Sequence, residues 1–305
     1  MDRHTVEWKG YIPAITTPFA KDGSFDLKGL GVLLEWLAAE GMHGLVLAGT
    51  TGEWFAMSPQ ERKQLFRAAG AQLGGRLPLI AGCNAFSATD AIDFAEAAAD
   101  HGLDGLLITP PPYIVPTEDE IFGFYKAISD NVRLPICVYN WPPGTNVDMS
   151  LPLLERLAGL EKVVAIKNST GKLDRLVASL YALNGQVRMF GLSMDELGAT
   201  LAQAGVGEGT MGAGGVLGRS QPGFYDRLWA GDAAGAVEIG KADRVLMRDW
   251  FTTSLTGKFG SAQAILKAAL NAQGLPGGYP RPPILPLDAE AQGAVEETLR
   301  SLGRL

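Results

Sequence analysis

The chain has 305 residues, 47% of them apolar and 19% charged, with a formal net charge of −7. That length holds one large domain or two average ones, and the apolar share is ample for a sizeable core. The acidic balance, with no run of Lys and Arg, argues against a nucleic-acid partner, and no apolar run reaches the length of a membrane span.

Taken in chain order, short apolar runs predict strands over residues 11–17, 44–48, 77–82, 105–109, 134–139, 163–167, 187–191 and 209–213. Stretches of helical periodicity lie between them, at 27–40, 59–73, 88–100, 118–129 and 151–157. Ser58-Pro59 sets a cap before a proline in the first turn, and Thr117 with Glu120 forms a capping box. Eight strand-then-helix units in one chain predict a (β/α)8 TIM barrel over 1–230 that carries the active site. The rival, an open doubly wound sheet, lacks its G-x-G-x-x-G after the first strand. Helical patterns at 233–253, 261–273 and 289–302 predict a C-terminal helical extension over 231–305, with the turn-rich segment 274–283 as a loop inside it.

Cys83 and Cys137 lie in apolar runs and read as small core residues. His4, His43 and His101 share no metal-ligand spacing, so no metal is expected. Residues 1–4 lead straight into polar sequence without a signal peptide, which predicts a cytoplasmic location.

In a barrel, chemistry sits at the carboxyl ends of the strands. Strand two ends in Gly49-Thr50-Thr51-Gly52-Glu53, strand four in Thr109 and Pro110 through Tyr113, strand five in Tyr139-Asn140 and strand six in Lys167. Strand seven runs into Ser193-Met194-Asp195-Glu196, and strand eight ends in Gly212-Ala213-Gly214-Gly215. A lysine closing an apolar strand is unusual, since lysine is rarely buried unless paired or used. Desolvation favours its free amine, a nucleophile for carbonyl carbon. A Schiff-base enzyme also needs a proton shuttle, which a phenol can supply, and backbone N–H groups in a tight turn for a substrate carboxylate.

Each piece has a structural alternative. Lys167 could snorkel to solvent, Gly49–Gly52 could be a plain turn, and Tyr139 a half-buried aromatic. Tyr113 could anchor a stiff loop, Asp195 and Glu196 could favour a helix start, and Met194 and Met211 read as core. Their common placement at one rim is what makes them a candidate site.

In order and spacing, Thr16-Thr17-Pro18-Phe19, Gly49-Thr50-Thr51-Gly52-Glu53, Tyr139-Asn140-x-Pro142, Ala165-Ile166-Lys167 and Arg281-Pro-Pro-Ile-Leu-Pro286 resemble the N-acetylneuraminate lyase / dihydrodipicolinate synthase family of class I aldolases and lyases. The resemblance spans essentially the whole chain. It implies that Lys167 forms a Schiff base with pyruvate or a larger 2-oxo acid and that no other cofactor is needed. Tyr139 would shuttle protons, and Thr50 and Thr51, with Gly49, would hold the 2-oxo carboxylate. Tyr113, in a Tyr-x-x-Pro element, would be the second tyrosine, contributed across a subunit contact, so the resemblance also implies a homo-oligomer, a dimer of dimers.

The chain departs from the synthases at Gly144, where they carry an arginine that binds the second carboxylate of the aldehyde substrate. Ser193-x-Asp195-Glu196 instead resembles the element with which the lyases contact sugar hydroxyls, and Gly212-Ala213 is also lyase-like. Glu53 is expected to order its loop, and Trp141 to wall the pocket or simply pack. The expected function is therefore a Schiff-base lyase, cleaving a hydroxylated 2-oxo acid to release pyruvate or dehydrating a 3-deoxy-2-oxo sugar acid. The alternatives are 4-hydroxy-tetrahydrodipicolinate synthase, a deaminase of a cyclic hydroxylated imino acid, and a non-catalytic 2-oxo acid binder.

Overall fold

The computed structural model describes residues 1–212 and 214–305. Eight parallel strands form a single sheet: β1 (Gly10–Tyr11), β2 (Leu45–Leu47), β3 (Leu79–Gly82), β4 (Gly105–Ile108), β5 (Ile136–Asn140), β6 (Val163–Asn168), β7 (Arg188–Phe190) and β8 (Gly209–Thr210). Their spatial order is β1-β8-β7-β6-β5-β4-β3-β2. A parallel bridge between Ala14 and Val46 joins the segment after β1 to β2 and closes the ring. Across it Val46 N donates to Pro13 O at 2.8 Å and Ile15 N to Val46 O at 3.0 Å. The first predicted strand is broken into these two pieces because Pro13 has no N–H to give to a ladder.

The helices that cover the strands are α1 (Leu27–Ala39), α2 (Pro59–Leu73), α3 (Ala88–Asp100), α4 (Glu118–Ser129), the single turn α5 (Pro142–Thr145), α6 (Leu151–Ala158), α7 (Leu173–Ala182), α8 (Glu196–Gln203) and α9 (Ser220–Trp229). Three more follow: α10 (Ala233–Trp250), α11 (Ala262–Ala272) and α12 (Ala289–Ser301). This is the (β/α)8 barrel with C-terminal helices that the sequence pattern predicts. The capping boxes at Ser58/Glu61 and Thr117/Glu120 both form. No described helix is long and apolar enough to cross a membrane.

Two apolar clusters make the core. The larger lies between sheet and helices. The smaller fills the barrel and takes one side chain or more from each strand or its extension, including Ile12, Val46, Ile80, Leu107, Cys137, Val164, Phe190 and Met211, with Trp8 among them. Cys83 and Cys137 are free and fully buried.

One irregularity decides which way β6 faces. Ile136 pairs with Val163 but Cys137 pairs with Ala165, so Val164 is an extra residue opposite the β5–β6 ladder. Val163 and Ile166 pack outward against the helices, whereas Val164 and Ala165 both belong to the inner cluster. The bulge resets the alternation of side chains. Lys167, two residues after Ala165, therefore points into the barrel on the same face as its ladder partner Tyr139.

Candidate active site

Lys167 and Tyr139 are direct partners on adjacent strands, and Lys167 Nζ lies 4.2 Å from the centre of the Tyr139 ring. The next rung is a hydrogen-bonded asparagine pair, Asn140 Nδ2 donating to Asn168 Oδ1 at 2.9 Å. Asn140 Oδ1 accepts from Met149 N, and Asn168 Nδ2 donates to Ser179 Oγ, so one strand end is tied to the loop before α6 and the other to α7. This stitching fixes the register that brings amine and phenol together.

Lys167 is only 8% exposed and pairs with no carboxylate among the described residues. Burial lowers its pKa to about 8, with the Cys137 thiol weakly opposing. About a tenth of the amine is thus free at pH 7, far more than for an ordinary lysine. Burial drives the Tyr139 phenol well above its ordinary value, while the hydroxyls of Ser169 and Thr50 work in the opposite direction. Tyr139 therefore holds its proton at neutral pH.

These two side chains open onto a cavity of about 470 Å³, whose walls include Thr50, Thr51, Ser193, Asp195, Met211 and Gly212. The cavity joins the sequence-predicted residues of strands two, five, six, seven and eight. Gly212 is there for a steric reason: a Cβ would lie within 2.6 Å of the Tyr11 ring and hydroxyl, which fill the adjoining wall. Ala213 lies outside the described residues.

The Gly49–Gly52 turn is held on both sides. Thr17 Oγ1 donates to Gly52 O at 2.8 Å, and Gln263 Nε2, from α11, donates to Thr50 O at 3.0 Å. Ala48 and Glu53 flank it with left-handed backbones, φ 50° and 56°, an uncommon and costly state for residues with a Cβ. Neither Thr50 N–H nor Thr51 N–H meets an acceptor among the described residues, which leaves both amides available to an anion. Glu53 is fully buried and contacts Lys267 Nζ of α11, while its Oε2 accepts from Arg281 N at 2.9 Å. Arg281 in turn forks onto Glu61. Glu53 and the Arg281 motif thus order the turn and stand away from the cavity.

Some predicted residues lie elsewhere. Gly49 is buried behind the turn and does not line the cavity. Glu196 is exposed and bonds Arg244 Nη1 at 2.6 Å. Asp195 lines the cavity, but its Oδ1 also caps α8, accepting from Leu197 N, Gly198 N and Ser193 Oγ. Tyr113 is 94% exposed, at φ 80°, and is not part of this chain's own cavity.

The structure adds residues that sequence reasoning missed. Tyr11 stands at the end of β1, and Asp243, Arg244, Phe251 and Gln263 reach the cavity from the helical region beyond residue 230. Burial raises the Asp243 carboxyl to about 6, although Gln221 Nε2 donates to it at 2.9 Å. The 3.6-residue pattern marks the apolar face of α10 but cannot say which of its turns overhangs the barrel mouth. Trp141 walls the cavity and stacks on Tyr139, with ring centres 6.0 Å apart. Its indole also occupies the space beside Gly144, where a Cβ would lie 2.5 Å from it.

Among the described residues no group of three or more His, Cys, Asp or Glu side chains could hold a metal ion. The site brings together a buried amine, a phenol, hydroxyls and free amides at the carboxyl ends of barrel strands.

A barrel with a desolvated lysine at the end of its sixth strand defines the class to which the comparisons also point. The sequence pattern of the Dihydrodipicolinate synthetase family matches residues 7–302, and the chain belongs to this family. It is 30% identical over 297 residues to an uncharacterized DapA-like lyase of Rhizobium meliloti, covering 97% of both chains. It is 32% identical over 297 residues to the 4-hydroxy-tetrahydrodipicolinate synthase of Saccharophagus degradans, covering 97% of this chain and 99% of the relative. Among solved structures, the dihydrodipicolinate synthase of Acinetobacter baumannii in complex with pyruvate superposes with a TM-score of 0.87 at 31% identity, covering 97% of this chain and 99% of that one.

Proposed function

We propose that the protein is a Schiff-base lyase of a hydroxylated 2-oxo acid. The observation that carries this reading is Lys167, a buried lysine without a counter-charge among the described residues, its pKa lowered by burial to about 8 beside the Tyr139 phenol. The neutral amine attacks the C2 carbonyl carbon, giving a carbinolamine. Tyr139 donates its proton to the carbinolamine hydroxyl, water leaves, and the iminium becomes the electron sink. The free amides and hydroxyls of Thr50 and Thr51 hold the carboxylate, and Thr50 relays the proton that Tyr139 exchanges. Cleavage then deprotonates the C4 hydroxyl and breaks C3–C4, leaving a pyruvyl enamine. Dehydration instead removes a C3 proton and expels the C4 hydroxyl as water.

Ser193 and Asp195, on the β7–α8 side of the cavity, suit the substrate's hydroxyls. Tyr113 completes the relay from a neighbouring subunit in a dimer of dimers. The support for this is its near-complete exposure in the single chain, beside exposed Ile114 and Val115.

A second reading, 4-hydroxy-tetrahydrodipicolinate synthase, draws on the named relatives and on one cation, Arg244, at the cavity wall. Against it stands Trp141, which fills the space beside Gly144. The test is incubation with pyruvate and borohydride, followed by intact mass and peptide mapping. A reduced adduct on Lys167, absent from Lys167→Ala, is expected; retained turnover in Lys167→Ala would sink the mechanism. A panel of 3-deoxy-2-oxo sugar acids and aspartate semialdehyde then separates lyase from synthase.

A further inference from the structure

The cavity is lined by two cations only among the described residues, and just one belongs to the chemistry. Lys167 is the first. The second is Arg244, on the middle of α10, which reaches the mouth on the side of the β7–α8 loop. We infer that Arg244 is a carboxylate clamp, and that the substrate is a 2-oxo diacid whose far carboxylate binds it. This rests on the Schiff-base reading only for where the near end of the substrate lies.

Three observations support the assignment. First, the guanidinium is only partly engaged. One terminal nitrogen, Nη1, bonds Glu196 Oε2 at 2.6 Å, while Nη2 and Nε meet no acceptor among the described residues. An arginine fork with free N–H groups is built for a planar carboxylate. Second, its pair with Glu196 gives the fold little reason to keep it. The two side chains are 36% and 69% exposed, and exposed pairs of this kind contribute little stability. What the pair does is hold the guanidinium over the cavity. Third, the position fits an extended molecule. β2, which carries the Thr50–Thr51 turn, is three steps around the ring from β7, through β1 and β8. A substrate with its first carboxylate on that turn and C2 at Lys167 points its far end toward the β7–α8 side. The cavity, at about 470 Å³, has room well beyond a three-carbon acid.

The neighbours decide between a carboxylate and a phosphate at the far end. Arg244 is flanked by Asp243 and faces Glu196, so a dianion would meet two negative groups and one cation. A monoanion fits that balance. Ser193, Asp195 and Asp243 then remain for hydroxyls along the chain. The missing arginine of position 144 is thus answered from another part of the sequence, with its charge on a different wall.

The test is calorimetric binding of matched pairs: 2-oxoglutarate against 2-oxopentanoate and 2-oxoadipate against 2-oxohexanoate, at low and high salt. The proteins are wild type, Arg244→Met, Arg244→Lys and Arg248→Met. Arg248 removes the same charge from the same helix but is 70% exposed and pairs with Asp249 outside the cavity. The expected result is that wild type and Arg248→Met prefer a diacid by roughly 10- to 100-fold. Arg244→Met loses that preference through weaker diacid binding, and Arg244→Lys regains part of it. Equal affinity for diacid and monoacid in wild type, or a preference that survives Arg244→Met, would overturn the assignment. So would tighter binding of 2-oxo-4-phosphonobutanoate than of 2-oxoglutarate, which would make the far group a phosphate. Borohydride trapping in parallel keeps the two readings apart. Preference for the diacid without any reducible adduct would refute the Schiff base and leave the clamp standing, whereas an adduct without preference would do the reverse.

Discussion

Lys167 is stabilising in no simple sense, and replacing it should strengthen the fold that it serves. In the unfolded chain its amine titrates at 10.5, and in the folded protein at about 8. Between those values the unfolded state binds more protons, so this group makes stability rise with pH across the window. Below about 8 the folded protein carries the whole cost of a buried cation. That cost is about 3 kcal/mol, the difference of 2.5 units at 1.36 kcal/mol per unit. The contact of Nζ with the Tyr139 ring offsets up to about 1 kcal/mol. Lys167→Met, an unbranched apolar replacement, should therefore gain roughly 2 kcal/mol at pH 7 and lose the gain as pH approaches 10.5. Urea and thermal midpoints of both proteins at pH 7, 8.5 and 10 read this directly. A variant less stable than wild type at pH 7, or a gain that stays constant to pH 10, would refute the burial argument. Adduct formation should vanish in the same variant, which makes the lysine a functional residue held against the interest of stability.

The opposite sign is expected at the other buried lysine. Lys267→Met strands fully buried Glu53 without its cation and should cost about 3–5 kcal/mol in urea unfolding; adding Glu53→Gln should recover part of the loss, and a double variant no better than the single would mean the pair is not coupled. Tyr139→Phe should slow turnover by roughly 10²-fold or more while pyruvate still binds, and a near-normal rate would assign the proton to another group. Gly144→Arg should not by itself create a response to aspartate semialdehyde, because Trp141 fills the space the side chain would enter. The same change combined with Trp141→Ala removes that obstacle, so equal behaviour of the two variants in a condensation assay would show that the indole is not what excludes the arginine.

Much of this architecture is legible in the sequence for identifiable reasons. Strands buried on both faces read as unbroken apolar runs, and the capped starts of α2 and α4 announce themselves at Ser58 and Thr117. The polar residues that interrupt the ends of those runs mark the barrel mouth, and that pattern alone groups Lys167, Tyr139, Thr50 and Thr51. What stayed hidden was of two kinds. The facing of β6 depends on the extra residue Val164, and four consecutive apolar residues carry no sign of where pairing slips. Arg244 and Gln263 approach from α10 and α11, whose position over the mouth is set by the packing of α10 on α9 and of Gly240 against Met194 O, contacts far apart in sequence. Glu196, read as a sugar contact, is engaged by Arg244 for the same reason.

The extra residue in β6 makes the facing of Lys167 depend on how β5 and β6 pair as well as on composition. Were the same residues to pair with β5 without interruption from Val163 onward, the strand would keep its apolar run and its ordinary appearance. The amine of Lys167, however, would then face the helices, and Ile166 would take its place over the cavity. A slip of one residue in the pairing would thus withdraw the amine from the cavity with every residue still encoded, whereas deleting Val164 would restore plain alternation and keep Lys167 facing inward. A reader comparing residue types alone would see nothing missing. Relatives of this chain are therefore best compared by the register in which β5 and β6 pair, before an inventory of residue types is taken as a sign of activity.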